Sequence, residues 1–389
     1  MLLQRFVLLL LCIPHLNCQR VLLLSLCRSE YFGCKGKGSS DNYEEVIRDV
    51  VAELKGNPLD LYVLSHEHMD HLKGLPFSEK KVFTDAADQL LKKLDTRFTW
   101  FPTSSKPNYF DEPNHAFANE KFKEIVANLT EIGLYLDALE SIGGLNNDYL
   151  EELWAINDLG KKKDCVDYLR LFNNLNYLYR NIDTSNIHPF SDAKLKIWAP
   201  EEDIGVYLSE FTSQPMNLFE IGKSKKRGKK DYVPLLPPQG VDAGVFYDLV
   251  DSRKRFYENL LAASSAFNNT SIVFCLEWHG NKLLFTGDAQ ELSWETMYKK
   301  GVLEEVDFLK VSHHGAENGT PSDEILDKIF PEKNKDSAVA VVSTVVDGPH
   351  DSIPDKDTLD VIKKRCKELH RLDLEALPGK YIDIHFFPK

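Results

Sequence analysis

Apolar and polar positions along this chain follow two alternating rhythms. Asp41 and Glu44 form a capping-box-like start, and Val46, Ile47, Val50, Val51 and Leu54 then share one helical face that ends at Gly56. Leu61 to Leu64, after Asn57 and Pro58, is a short unbroken apolar run with the length of a buried strand. Lys81 to Thr84 predicts a further strand and Asp85 to Leu94 a helix. Residues 97–118 carry Pro102, Pro107 and Pro113 among aromatics and predict a long loop. From about 119 to 182 the period is helical, with Ile125, Leu129, Ile132 and Leu136 on one stripe. This predicts a helical insertion of two or three segments, whose plainest role is packing.

The second half returns to strand alternation. Leu195 to Pro200 is one strand, and Ser271 to Glu277 with Lys282 to Thr286 predicts a hairpin turned at His279, Gly280 and Asn281. Helix 291–300, strand 308–312, helix 322–330, strand 338–343 and helix 356–368 follow, with an alternating edge strand over 381–387. Helices interleaved with strands predict an α/β fold built in layers. Between the halves, Lys223 to Lys230 places six positive charges in eight residues. Such a run is most often a solvated loop, and its sharper reading is a contact for nucleic-acid phosphates.

Composition narrows this picture only a little. A chain of 389 residues with 43% hydrophobic and 28% charged residues has the make-up of a globular protein with one large core or two smaller ones. The formal charge of −13 disfavours general binding to nucleic acid across the surface, while leaving room for a local cationic site. Cys12, Cys18, Cys27 and Cys34 crowd the start, and Cys165, Cys275 and Cys366 are scattered through the body. Three scattered cysteines make no disulfide framework, so a reducing, cytoplasmic setting fits the body best.

Residues 1–35 stand apart from the 36–389 body. Arg5 followed by the apolar run Phe6 to Ile13 imitates a secretory signal, so a secreted protein follows if residues 1–18 act as one. The run is too short to span a bilayer, and no transmembrane span is expected. A second apolar stretch, Val21 to Leu26, weakens the signal reading. A divergent opening or a mis-assigned start of the reading frame would account for the segment equally well.

The chemistry concentrates at the end of the 61–64 strand. His66, His68, Asp70 and His71 fall within six residues, just before the break at Gly74 to Pro76. His66 and His68 leave a strand end in similar directions and can close on one cation, while Asp70 and His71 can hold a second beside it. Imidazole and carboxylate suit zinc, with manganese or iron as the other metals to consider. The helical His-Glu-x-x-His signature is excluded, because its second histidine falls on Asp70. Further along, Thr286-Gly-Asp288 sets a carboxylate at a strand end, and His313-His314-Gly315 sets two diverging imidazoles at another. Of that pair, His313 is the one expected to face the metals.

These blocks, in this order, resemble the metallo-β-lactamase superfamily. His66 to His71 matches its H-x-H-x-D-H motif, and 268–274, 283–288 and 309–315 together look like the soluble hydrolase domain of ComEC-type competence proteins and their free-standing relatives. The resemblance implies an αββα four-layer sandwich and a dinuclear centre of two divalent metal ions. It implies ligands His66, His68, Asp70, His71 and a bridging Asp288, with His313 beside them and His350 in the place of a late motif histidine. A histidine that many members carry between the first motif and the bridging aspartate has only His115 and His188 as candidates here.

The expected activity is metal-dependent hydrolysis by a metal-bound hydroxide, most suitably of a phosphodiester in a nucleic acid or nucleotide. Asp70 would orient the nucleophile, and His313 or His314 would donate to the leaving oxygen. Two rivals stand beside it: a hydrolase of carbon esters, lactones, thioesters or β-lactams, and a metal-binding scaffold with little catalysis.

Overall fold

The computed structural model describes residues 9–12, 20–23, 48, 50–52, 54–72, 92–141, 153–190, 192–212, 243–344, 353–375, 384 and 386–389. Over these residues the chain is mixed α/β and contains two sheets. In the first, β1 (Leu9–Cys12), β2 (Arg20–Leu23), β3 (Leu59–Val63), β4 (Thr96–Pro102) and β5 (Leu175–Leu178) lie side by side in sequence order. β1 and β2 pair antiparallel, and β2 through β5 run parallel. Parts of the two apolar runs near the start thus form β1 and β2, of which β2 lies beside β3.

The second sheet has the order β11-β10-β9-β8-β7-β6, from β6 (Ala193–Ala199), β7 (Val273–Trp278), β8 (Asn281–Phe285), β9 (Phe308–Lys310), β10 (Val339–Val342) and β11 (Glu368–Arg371). β8 through β11 are parallel, and β6 and β7 are antiparallel additions.

Period-two alternation sorts the strand side chains between two faces. Leu61 and Val63 of β3, Trp100 of β4, Phe274 and Leu276 of β7, Leu283 and Phe285 of β8 and Phe308 of β9 share one buried cluster, to which both sheets contribute. Their neighbours point the other way. Tyr62, Leu64 and Phe101 pack with Cys165, Val166 and Leu169 of a helix. Cys275, Leu284, Leu309 and Val342 pack with Trp294, Ile325, Leu326 and Ile362 of other helices. Each sheet therefore has one face in a shared core and the other under helices.

The described helices are α1 (Met69–Leu72), α2 (Ala116–Ser141), α3 (Leu159–Leu169), α4 (Gly205–Leu208), α5 (Ala243–Asn268), α6 (Glu291–Lys299), α7 (Asp323–Ile329), α8 (Lys356–Lys363) and α9 (Leu372–Glu375). The expected helical stretch over 119–182 is divided. α2 packs with α4 and α5 through Ile125, Leu129, Tyr207, Leu208, Phe256 and Leu260, whereas α3 lies against the first sheet. Helix then gives way to β5. Asn174 turns with φ 48°, and Thr99 donates its hydroxyl to the Asn173 carbonyl, which brings 175–178 alongside β4.

Two further expectations are corrected. Residues 96–102 are a central strand and not the start of a loop, since Pro102 falls at the strand's end, where a missing N–H costs little. α5 was not anticipated. The second sheet is edged by 368–371, and the described residues among 381–387 are not in a strand. The strand and helix expected over 81–91 and the basic run 223–230 lie outside the described residues. Among the described residues, no helix is long and apolar enough to cross a membrane.

Candidate metal centre

Parallel strands that end at one edge bring distant sequence together there, which is where open α/β sheets place their ligands. The loop after β3 supplies His66, His68 and, from the start of α1, His71. Those after β8 and β9 supply Asp288 and the pair His313 and His314. The Ile272 amide donates to the Ser65 carbonyl at 2.9 Å and ties the first sheet's loop to the segment leading into β7.

Gly287 allows the carboxylate to sit where it does. Its φ is +53°, and a Cβ there would lie 2.8 Å from the Ser271 Cβ and 3.1 Å from the Ser65 Cβ. The Asp288 amide donates to the Ser271 hydroxyl at 3.0 Å. Lys310, the last residue of β9, donates to the Gly287 carbonyl at 2.9 Å and stands 3.6 Å from Asp288 Oδ1.

His66, His71 and Asp288 are fully or almost fully buried, and one ligating atom from each falls within 4.8 Å of the others. His71 Nε2 is 3.0 Å from Asp288 Oδ2, and the rings of His66 and His71 are 4.2 Å apart. His68 joins through His66, whose Nε2 is 3.1 Å from His68 Nδ1. His68 Nε2 and Asp288 Oδ1 are buried without a hydrogen-bond partner among the described residues.

His314 carries a further constraint. Its Nδ1 lies 2.9 Å from the Ser343 carbonyl, an acceptor only, so Nδ1 holds the proton. In a neutral ring Nε2 is then a bare lone pair, yet it faces Asp288 Oδ2 at 2.9 Å. Two acceptors at that distance need a cation between them: a second proton, giving an imidazolium–carboxylate pair, or a metal ion. An imidazole that donates its other N–H to a backbone carbonyl is a common arrangement for a metal ligand.

The electrostatics agree with this geometry. Burial, then the neighbouring His71 and His68, push the His66 imidazole well below its ordinary range. Burial, then Lys162 and His71, do the same to His68. Both rings are therefore neutral near pH 7, the form that ligates. Burial opposes ionisation of Asp288, but His314, His71 and Lys310 outweigh it and hold the carboxyl well below the usual carboxylate range.

Comparison with known proteins gives no matching family model and no matching curated protein. The site's meaning rests on its own chemistry.

Placement of the remaining candidates is uneven. It is His314, and not His313, that stands against Asp288. His313 turns away to Asn318 Oδ1 at 2.8 Å, Gln290 Nε2 at 3.2 Å and Asn268 Nδ2 at 3.3 Å. The cause is local backbone: His313, His314 and Gly315 all have positive φ, which swings adjacent side chains to different sides. His115 stacks on Tyr109 and bonds the Tyr109 carbonyl, and His188 stacks on Phe190, so neither joins the cluster. The Asp70 side chain and all of His350 lie outside the described residues. Lys310, Ser271, Ser343 and Asn268 were not singled out from the sequence. Lys310 alone left a signal, as a lysine closing an apolar strand.

Proposed function

We propose that this chain is a metal-dependent hydrolase acting on phosphodiesters, built as an αββα sandwich of the metallo-β-lactamase type. The observation that carries the reading is the meeting of His66, His71 and Asp288 from two sheets, with His314 presenting Nε2 to the same carboxylate. The group fits a divalent cation: imidazoles of which His66 and His68 are neutral, an ionised carboxylate, and buried ligating atoms on His68 and Asp288 that no hydrogen bond among the described residues uses. His66, His71 and Asp288 would hold the ion, with His68 and His314 adjoining. Zinc suits this donor set best, and a second ion would need ligands from the same neighbourhood.

A bound divalent ion supplies Lewis acidity and lowers the pKa of water. The chain's own contribution is position and charge. Lys310 fixes the Gly287–Asp288 turn, and the Ser343 carbonyl fixes the His314 tautomer, leaving Nε2 to hold or pass a proton. The buried cation of Lys310 beside the site favours an anionic substrate over a neutral ester. No thiol nucleophile is called for, since burial pushes Cys165 and Cys275 up to about 12.

The test is metal analysis of the purified protein, followed by assays on bis-p-nitrophenyl phosphate, a p-nitrophenyl carboxylate ester and a β-lactam. Stoichiometric zinc with turnover of the diester is the expected result. Preference for the ester or lactam would replace the substrate class. Absence of turnover with zinc, manganese or iron would leave a metal-binding scaffold.

A further inference from the structure

We infer that Phe267, near the end of α5, is the stacking platform for a nucleobase of the substrate, so that the phosphodiester turned over here belongs to a nucleotide or a nucleic acid. The inference deepens the hydrolase reading and rests on it, though its binding test does not.

One short segment, 267–272, meets the centre again and again. The Phe267 ring stands perpendicular to the His68 ring, with centroids 6.1 Å apart and planes at 85°. Asn268 places Nδ2 3.3 Å from His313 Nε2. Ser271 takes the Asp288 amide, and Ile272 donates to the Ser65 carbonyl. Between these, Asn269 Oδ1 accepts the Gln290 and Ser293 amides at the start of α6, and the Thr270 amide and hydroxyl both donate to the Phe267 carbonyl. The end of α5 is thus tied to α6 and to turns of both sheets, which fixes where its last side chains stand.

Five of these six residues are buried, and Phe267 alone keeps part of its surface exposed. A single exposed apolar side chain is ordinary on a protein surface. This one adjoins a candidate metal ligand and is followed by two more rings. Phe122 of α2 lies 6.5 Å from Phe267, and Phe110 stacks on Phe122 with centroids 3.9 Å apart and planes 7° from parallel. Both are also partly exposed. A row of partly exposed rings therefore leads away from His68 along the helical layer. The Lys162 ammonium lies over Phe267, 4.6 Å from the centroid, a contact that steadies the first ring of the row.

Substrate chemistry chooses the occupant. A diester held at the histidines must carry its two substituents past the surrounding side chains, and beside His68 and His313 those are Phe267 and Asn268. A nucleobase presents a flat π-face that an aromatic ring accepts whatever the base, whereas an alkyl substituent gains only from buried area. The formal charge of −13 points the same way. A chain so acidic gains little from long tracks of phosphate contacts, and stacking gives it a hold on a nucleotide that does not depend on them.

The experiment measures, by calorimetry, binding of thymidine 5′-monophosphate, deoxyribose 5-phosphate and cyclohexyl phosphate to full-length wild type, Phe267→Leu and Phe267→Tyr, each with and without zinc. The first two ligands differ only in the base. Wild type is expected to prefer the nucleotide about tenfold, the size of one base–aromatic stack, with Phe267→Leu losing most of that preference and Phe267→Tyr keeping it. In turnover of thymidine 5′-p-nitrophenyl phosphate, the loss in Phe267→Leu should fall on KM more than on kcat. No preference for the nucleotide by wild type in either state, or an undiminished preference in folded Phe267→Leu, overturns the proposal. Cyclohexyl phosphate binding as tightly as the nucleotide overturns it too, because the row would then be a plain apolar wall. If Phe267→Leu does not fold, Phe267→Met replaces it under the same criteria. Failure to bind zinc or to turn over any diester counts against the hydrolase reading alone, since the preference for the base is read from binding.

Discussion

The two halves of the cluster are built differently. On the second sheet, the groups around the carboxylate are strapped to their surroundings. Asp288 is held through its own amide by Ser271, Lys310 by the Gly287 carbonyl, His314 by the Ser343 carbonyl, and Thr286 by the Lys310 carbonyl. On the first sheet, His66 has the adjacent Ser65 hydroxyl and otherwise His68, and His68 Nε2 has no hydrogen-bond partner among the described residues. One half is a fixed carboxylate with oriented neighbours. The other is a chain of imidazoles that hold chiefly one another, with His71 reaching across to the carboxylate. A carboxylate held by its surroundings and facing a cluster of buried imidazoles is an arrangement that suits a cation, since outer partners orient the groups that ligate it.

Removing the fixed anion should break this asymmetry most severely. Asp288→Asn keeps the volume and loses the charge that joins His71, His314 and Lys310. Zinc affinity is predicted to fall about a hundredfold or more, beyond what loss of an outer hydrogen bond does. Competition with a chromogenic chelator measures it. Wild-type affinity in this variant would remove Asp288 from the centre.

The strapping itself can be tested next. Gly287→Ala should destabilise the metal-free protein by roughly 2 kcal/mol, because the residue must keep φ near +53° while its Cβ meets Ser271 and Ser65. Denaturant unfolding gives the number. A neutral effect would mean the turn can relax and that Asp288 is less rigidly placed than its hydrogen bonds imply.

Acid should act on the imidazole half. The His66 and His68 imidazoles are depressed in the folded chain, so the unfolded chain binds protons first as the pH falls below its ordinary histidine range. Stability is then full above about pH 6.5 and is lost as the pH falls from there towards the folded values. Asp288, also depressed, adds a loss of the same sign at lower pH. Replacing His66 by Asn in metal-free protein should flatten the slope below pH 6.5 by at most about 1.4 kcal/mol per pH unit. An unchanged slope would show that the ring does not titrate as its burial demands.

Much of this was legible from spacing. The histidines after β3, the carboxylate after β8 and the imidazole pair after β9 all stand at strand ends, where apolar runs stop and turn chemistry begins. What was not legible depended on tertiary context. Pro102 made β4 read as loop, although proline is tolerated at the end of a strand. β5 read as helix because Leu175, Tyr177 and Leu178 suit either rhythm, and only the turn at Asn174 beside β4 decides it. The choice between His313 and His314 depended on backbone angles that no residue pattern announces.

That last choice yields the finest prediction. His313 sits over Gly319, where an added Cβ would come within 2.6 Å of the His313 Cβ, and its ring is engaged by Asn318, Gln290 and Asn268. It belongs to the frame that holds the 313–315 turn, whereas His314 meets the carboxylate. His313→Ala should therefore lower zinc affinity by less than about threefold, while His314→Ala costs about tenfold or more, as expected when a group in contact with the metal's ligands is removed. The two variants differ by one position in the chain and sample the same turn, so a general loosening of the loop would lower both alike. Equal losses, or a larger loss in His313→Ala, would return His313 to the metal and make the contact between His314 and Asp288 an ion pair of the metal-free protein.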